Sequence, residues 1–177
     1  MFDNINYLQS GSEKQNQAFK AIRNLGIMDS LCEYNPILCG TFPIGIDITD
    51  SDLDIIMEVY DFQRFEEKIN NLYGDKEGFK IKRLLIRESS VVKANFIFEG
   101  FEFELFGEAQ PVKTQNAYLH MIIENSLINL LPNIRAEVIK LKKQGLKTEP
   151  AFCKFLQLEG DDPYENLLEY GKNMGII

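Results

Sequence analysis

The stretch from Cys39 to Val59 reads CGTFPIGIDITDSDLDIIMEV and decides how the rest of the chain is interpreted. An apolar segment ends at Gly40-Thr41, ten residues intervene, and Asp52-Leu53-Asp54 opens a new apolar run. On a strand, residues two apart share a face, so both aspartates project the same way. Neighbouring carboxylates repel each other unless a cation lies between them, and hard oxygen ligands suit Mg²⁺ carrying substrate phosphates. The stretch therefore predicts a strand with a phosphoryl-transfer site at its start.

Three elements of the sequence resemble the signature of the nucleotidyltransferase superfamily. That signature is an apolar residue with Gly-Ser or Gly-Gly, then an acid-x-acid pair, then a third acid on a later strand. Gly40-Thr41 matches the first element, with Thr in place of the usual Ser, and Asp52 and Asp54 match the second. Glu104, in the segment FEFELFG that begins at Phe101, matches the third. The resemblance implies an α+β fold in which helices flank a mixed sheet.

The same resemblance implies a reaction, the Mg²⁺-dependent transfer of a nucleoside monophosphate from a nucleoside triphosphate to a hydroxyl group. One or two ions would be held by Asp52, Asp54 and Glu104, and the phosphates would be bound by Gly40 and Thr41. Glu102 shares a strand face with Glu104 and stays open as the third acid. Because Thr41 replaces Ser and the third acid is open, a second hypothesis remains. It is an inactive module of the same fold that binds a nucleotide or another protein.

The C-terminal part of the chain carries a further resemblance. The segments Gln115–Tyr118 and Gly145–Phe152 are similar to those of a small family of uncharacterised bacterial nucleotidyltransferase-like proteins. This likeness covers nearly the whole chain and implies a fold but no reaction. We expect residues 1–112 to form the α/β core and residues 113–177 a helical segment packed on it as one compact unit. A third hypothesis is a plain interaction protein whose helical tail docks a partner.

The composition narrows the partners and the location. The 177 residues carry a net charge of −8, which disfavours a broad electrostatic grip on a nucleic-acid backbone. A small molecule or a protein hydroxyl is the favoured acceptor, and the basic runs Lys80–Arg83 and Lys140–Lys143 are expected to be solvated faces. Three scattered cysteines and one histidine predict neither a disulfide framework nor a zinc site. No signal peptide and no apolar run of ~20 residues is found, so we expect a cytoplasmic protein without a membrane span.

The order of elements follows from hydrophobic spacing and from turn residues. A capping box at Ser10–Glu13 predicts a first helix that stops at Gly26. Strands are predicted at Leu31–Cys39, Asp52–Val59, Phe79–Arg87, Val91–Phe98 and Phe101–Phe106, with a loop over Thr41–Ser51 and a helix from Phe62 to about Gly74. From Thr114 onward the spacing predicts four helices, with breaks near Pro132 and Gly145 and starts at Thr148 and Pro163.

Weaker candidates lie close to these motifs. His120 and Glu124 are one helical turn apart and could form an imidazole–carboxylate pair, although such pairs are more often local helix contacts. Lys147, beside the predicted helix start at Thr148, could reach a phosphate. Cys39 has no paired base in view, so a nucleophilic role is not expected. The sequence leaves open the nucleotide, the acceptor and the oligomeric state.

Overall fold

The computed structural model describes residues 2–87 and 89–177, which form a five-stranded sheet with helices on both faces. The strands are β1 (Ile37–Cys39), β2 (Leu53–Glu58), β3 (Glu77–Ile86), β4 (Ser89–Phe98) and β5 (Phe101–Glu108). The helices are α1 (Glu13–Leu25), α2 (Ile27–Ser30), α3 (Thr41–Ile44), α4 (Phe62–Tyr73), α5 (Asn116–Leu130), α6 (Ile134–Lys143), α7 (Thr148–Leu156) and α8 (Pro163–Asn173). Short 3-10 helices cover Asn6–Ser10, Cys32–Tyr34 and Val112–Thr114.

The sheet has the strand order β1-β2-β5-β4-β3. Strands β2 and β5 run parallel, and the other neighbouring pairs are antiparallel. The hairpin β4–β5 turns at Glu99-Gly100, where both residues have positive φ. The expected α+β class with a mixed sheet flanked by helices is confirmed.

Strand β2 is an inner strand with buried residues on both faces, as the apolar run after Asp54 predicted. Leu53, Ile55 and Met57 point to one face and belong to a core cluster that includes residues of α1 and α4. Ile56 points to the other face and packs in a second cluster with residues of α5, α6, α7 and α8. Because side chains alternate along a strand, Asp54 shares the second face with Ile56. The acidic pair therefore faces the C-terminal helices.

The first helix begins two residues later than predicted. Ser12, and not Ser10, is the N-cap: its hydroxyl accepts from the Gln15 backbone, and the Gln15 side chain accepts from the Ser12 backbone. Ser10 instead ends the first 3-10 helix and donates to the carbonyl of Tyr7 at 3.1 Å. The predicted stop at Gly26 is correct, since this glycine has φ 66° and closes α1.

The first strand is much shorter than predicted. Only Ile37–Cys39 pairs with β2, whereas Cys32–Tyr34 is a 3-10 helix. Asn35 adopts φ 51°, a left-handed conformation that ends the helical turn, and Pro36 has no N–H to donate to a ladder. The predicted loop over Thr41–Ser51 likewise contains a helical turn, α3. Apolar composition located these residues in the core but did not distinguish strand from turn.

Helices α7 and α8 begin where the sequence predicted, and α5 begins at Asn116, two residues after the predicted change to helical structure. Helix α8 has Pro163 in its first turn and is capped by the Asp162 carboxylate, which accepts from the backbone of Tyr164 and Glu165. Helices α5 to α8 share the second core cluster with residues of β1 and β2. The division of the chain at residue 112 stays a prediction. Within the described residues, no helix combines the length and the hydropathy needed to cross a bilayer.

Candidate active site

A cleft of about 970 Å³ lies between the second face of the sheet and the C-terminal helices. Every site residue predicted from the sequence lines it, namely Gly40, Thr41, Asp52, Asp54 and Glu104. The weaker candidates His120, Glu124 and Lys147 line it as well. Residues far apart in the chain thus share one concave surface, which the sheet forms on one side (the sheet wall) and α5 to α8 on the other (the helical wall).

The sheet wall carries a cluster of three carboxylates. Asp54 is the direct partner of Glu104 in the parallel pair of β2 and β5, and Asp52 stands just before the start of β2. One oxygen of each residue lies within 4.8 Å of the others. Such a set of hard oxygen donors is suited to a divalent cation. The three roles assigned to these residues from the sequence remain predictions, but the fold brings the side chains together.

The closeness and burial of the three carboxylates raise the pKa of two of them. Burial raises the pKa of Asp54 well above its ordinary value, and the charges of Asp52 and Glu104 raise it further. Burial also raises the pKa of Asp52, although a backbone hydrogen bond opposes the shift. Among the described residues, one cation contacts the cluster. It is Lys93, whose Nζ lies 2.6 Å from Oε2 of Glu104. Negative charge therefore exceeds positive charge at the start of β2, which is the condition that favours metal binding.

Glu102 does not belong to this cluster, although it shares a strand with Glu104. Its side chain is exposed and accepts a hydrogen bond from Asn95 at 3.1 Å. Of the two glutamates that the sequence left open, the structure thus places Glu104 beside the aspartates.

Two features require a glycine at position 40: the backbone conformation and the closeness of Asp54. Gly40 has φ 71° and ψ −144°, a backbone conformation that residues other than glycine rarely adopt. A Cβ atom at this position would lie 2.0 Å from Oδ2 of Asp54. The adjacent Cys39 is buried and free, and burial raises the pKa of its thiol, so the expectation that it is no nucleophile is consistent with its surroundings.

The helical wall differs from the pairing suggested by the sequence. His120 does not pair with Glu124: its Nε2 bonds to the carbonyl of Tyr164 at 2.9 Å, and its Nδ1 lies 3.8 Å from Oε1 of Glu149. A carbonyl only accepts, so Nε2 carries the proton, and Nδ1 faces the Glu149 carboxylate. Glu124 is instead 2% exposed at the wall of the cleft, and burial raises its pKa well above the ordinary value.

Lys142 is the residue of this wall that the sequence analysis missed. It was assigned to a solvated basic run, yet it is 6% exposed and its Nζ donates to the carbonyl of Ile46 at 2.9 Å. Burial lowers its pKa, and the charge of Glu124 opposes that shift. A signal was present in the sequence: Ile134, Val138 and Lys142 are spaced four apart and so share the buried face of α6. Lys140 and Lys143 are exposed, as expected.

The fold of this chain is similar to that of two solved polymerases. The polymerase core of TRAMP, an RNA surveillance complex, matches 89% of this chain with 12% identity and a TM-score of 0.58, over 56% of its own length. The Cid1 poly(U) polymerase with bound Mg 3'-dATP matches 88% of this chain and 48% of its own, with 15% identity and a TM-score of 0.53. The chain thus spans about half the length of these polymerases. Its fold is that of the nucleotidyltransferases.

The family is also shown by the sequence. Residues 20–170 match the profile of a family described as a domain of unknown function, DUF4269, and the chain belongs to it. No curated protein matches the chain.

Proposed function

We propose that the protein is a Mg²⁺-dependent nucleotidyltransferase that moves a nucleoside monophosphate from a nucleoside triphosphate to a hydroxyl group. The observation that supports this most is the approach of Asp52, Asp54 and Glu104 to within 4.8 Å in a cleft. The donor set fits the metal, because it consists of three carboxylates whose mutual repulsion a divalent cation relieves. The cytoplasmic location expected from the sequence belongs to the same proposal.

These three side chains would hold one or two Mg²⁺ ions. When bound, the metal neutralises the charge of the phosphate oxygens. Gly40 and Thr41 would contact the phosphates, since both line the cleft that holds the three carboxylates. The acceptor oxygen forms a bond to the α-phosphorus, the bond to the bridging oxygen breaks, and pyrophosphate leaves. The Glu104 carboxylate would take the proton of the acceptor hydroxyl and pass it to water.

The acceptor in this proposal is a small molecule or a protein hydroxyl. The RNA acceptors named for the similar polymerases belong to those proteins. The net charge of −8 supports a different acceptor here, because an RNA backbone would meet an acidic surface.

The proposal is tested by turnover of labelled nucleoside triphosphates with Mg²⁺ and pools of small-molecule or protein acceptors. Asp54→Asn should abolish both turnover and Mg²⁺-dependent nucleotide binding. Asp50→Asn, which removes the same charge from an exposed position in the same cleft, should retain both. Nucleotide binding without turnover in the wild type would favour the inactive module. Absence of Mg²⁺-dependent binding would overturn both hypotheses.

A further inference from the structure

A second set of acidic groups lies in the helical wall, outside the three-carboxylate cluster. Glu124 on α5 is 2% exposed, lines the cleft, and its Oε1 has no hydrogen-bond partner among residues 2–87 and 89–177. A buried acceptor without a donor costs free energy, and nearly all such groups in proteins are satisfied. An atom of this kind at the wall of a cleft indicates a place where a ligand supplies the donor.

The neighbours of Glu124 do not provide that donor. Lys142 is the cation whose charge acts on it, but the Lys142 ammonium group already donates to the Ile46 carbonyl at 2.9 Å. Glu149 adds a second negative charge, and its Oε1 lies 3.8 Å from Nδ1 of His120. Two carboxylates thus face the cleft from the helical wall, and the ammonium group of Lys142, whose charge acts on both, donates its hydrogen bond elsewhere.

The charge of the whole cleft indicates the chemistry of the missing group. Seven carboxylates and four lysine or arginine side chains line it within the part of the chain that the structure describes, a formal excess of three negative charges. A nucleoside triphosphate and two Mg²⁺ ions carry charges that roughly cancel, so their binding leaves this excess in place. A cationic group that donates hydrogen bonds would balance part of this excess.

We propose that Glu124 and Glu149 form an acceptor subsite that binds a protonated amine of the molecule whose hydroxyl receives the nucleotide. This rests on the proposed function and narrows its acceptor to small amino alcohols. The ammonium group donates to Oε1 of Glu124 and balances the charge of Glu149. The three-carboxylate cluster lies on the opposite wall of the same cleft, so a hydroxyl of the same molecule faces the reacting phosphate.

The test separates amine binding from turnover. Calorimetry with glucosamine and with glucose, in which a hydroxyl replaces the ammonium group, is done first without nucleotide and then with Mg²⁺ and a non-hydrolysable nucleoside triphosphate. Glucosamine should bind at least about tenfold more tightly, since the two differ by one charge-assisted contact. Glu124→Gln should remove most of this preference. Glu149→Gln, at a more exposed carboxylate, should reduce it and serves if the first variant does not fold.

The matched control is Glu108→Gln, which removes the same charge from the sheet wall of the same cleft. It should leave the glucosamine preference within about twofold, because a screened charge at a distance contributes little. Equal effects of Glu108→Gln and Glu124→Gln would overturn the subsite in favour of general electrostatic attraction. So would equal or undetectable binding of the two sugars.

Two other outcomes are informative. If Glu124→Gln weakens binding of the nucleotide and leaves the glucosamine preference intact, Glu124 contacts the nucleotide and the proposal is wrong. If glucosamine binds as expected while no nucleotide is turned over, the amine subsite stands and the proposed transferase activity falls. Glucosamine that both binds and becomes nucleotidylated supports the two proposals together.

Discussion

The two walls of the cleft carry carboxylates for different reasons. On the sheet wall, Asp54 and Glu104 are register partners on adjacent strands, and their closeness follows from backbone pairing. On the helical wall, Glu124 and Glu149 come from α5 and α7, and only tertiary packing brings them together. The sheet wall has a cation in contact, Lys93, whereas Oε1 of Glu124 has no partner in the described residues.

This difference explains why the sequence predicts the arrangement of the sheet wall better than that of the helical wall. A strand fixes the direction of its side chains with a period of two, so an acid-x-acid pattern defines a face. A helix defines a face too, but the partner of that face depends on how helices pack. We therefore expect the sheet wall to determine the reaction and the helical wall to determine what is bound.

The largest effect is expected from the third carboxylate. Glu104→Gln should lower Mg²⁺-dependent turnover by about 10²–10⁴-fold, since it removes a charge of the cluster and the group that takes the proton in the proposed reaction. Glu102→Gln, two residues away on the same strand, should leave turnover within about threefold because its side chain is exposed. Steady-state kinetics of the two variants measures both changes in turnover. The reverse order of effects would show that Glu102 is the third acid.

Most of the sheet wall could be predicted from the sequence, because each element is local. The acid-x-acid pair, the glycine before it and Glu104 all lie in strands or at strand ends. The order of the strands was not predicted in the same way, and β1 was extended too far because apolar residues occur equally in a buried 3-10 helix. His120 was assigned to Glu124 one turn away, whereas packing of α7 brings Glu149 closer. Contacts between distant helices leave no such local pattern.

A large effect on folding is expected at Gly40, which lies against the Asp54 carboxylate of the sheet wall. Gly40→Ala should lower the free energy of unfolding by about 2–4 kcal/mol, because the backbone conformation is strained for alanine and the new Cβ would meet Asp54. Gly100→Ala is the matched control, with φ 80° and open space around the added Cβ. Its cost should be about 1 kcal/mol. Urea denaturation measures both, and equal costs would mean that the contact with Asp54 is unimportant.

A smaller effect on stability is expected at the buried lysine of the helical wall. Lys142→Met should destabilise by about 1–3 kcal/mol, since it leaves the Ile46 carbonyl without its donor and removes the positive charge beside Glu124. Lys140→Met on the same helix removes an equal charge from an exposed position and should cost less than about 0.5 kcal/mol. Thermal melting compares them. If the two costs are the same, Lys142 is not a structural part of the wall.

The smallest expected effect is on the melting temperature. Its dependence on pH and on Mg²⁺ distinguishes the two walls. Burial raises the pKa of both Asp54 and Glu124 in the folded protein. The folded state then binds more protons than the unfolded state, so each carboxyl lowers the free energy of unfolding as the pH rises from its ordinary pKa through its raised value. In EDTA, Asp54→Asn and Glu124→Gln should therefore each melt above the wild type, by about 2–4 °C, and the difference should grow with pH across that window.

Mg²⁺ should act on one of these differences only. A metal bound at the proposed site on the sheet wall would stabilise the folded wild type, which should cancel or reverse the advantage of Asp54→Asn. The advantage of Glu124→Gln should persist, because that variant keeps the three-carboxylate cluster and gains the same stabilisation. Melting temperatures over a pH series, with EDTA and with Mg²⁺, measure both. A Glu124→Gln advantage that disappears with Mg²⁺ would show that the helical wall also binds the metal, and the division of roles between the walls would then be wrong.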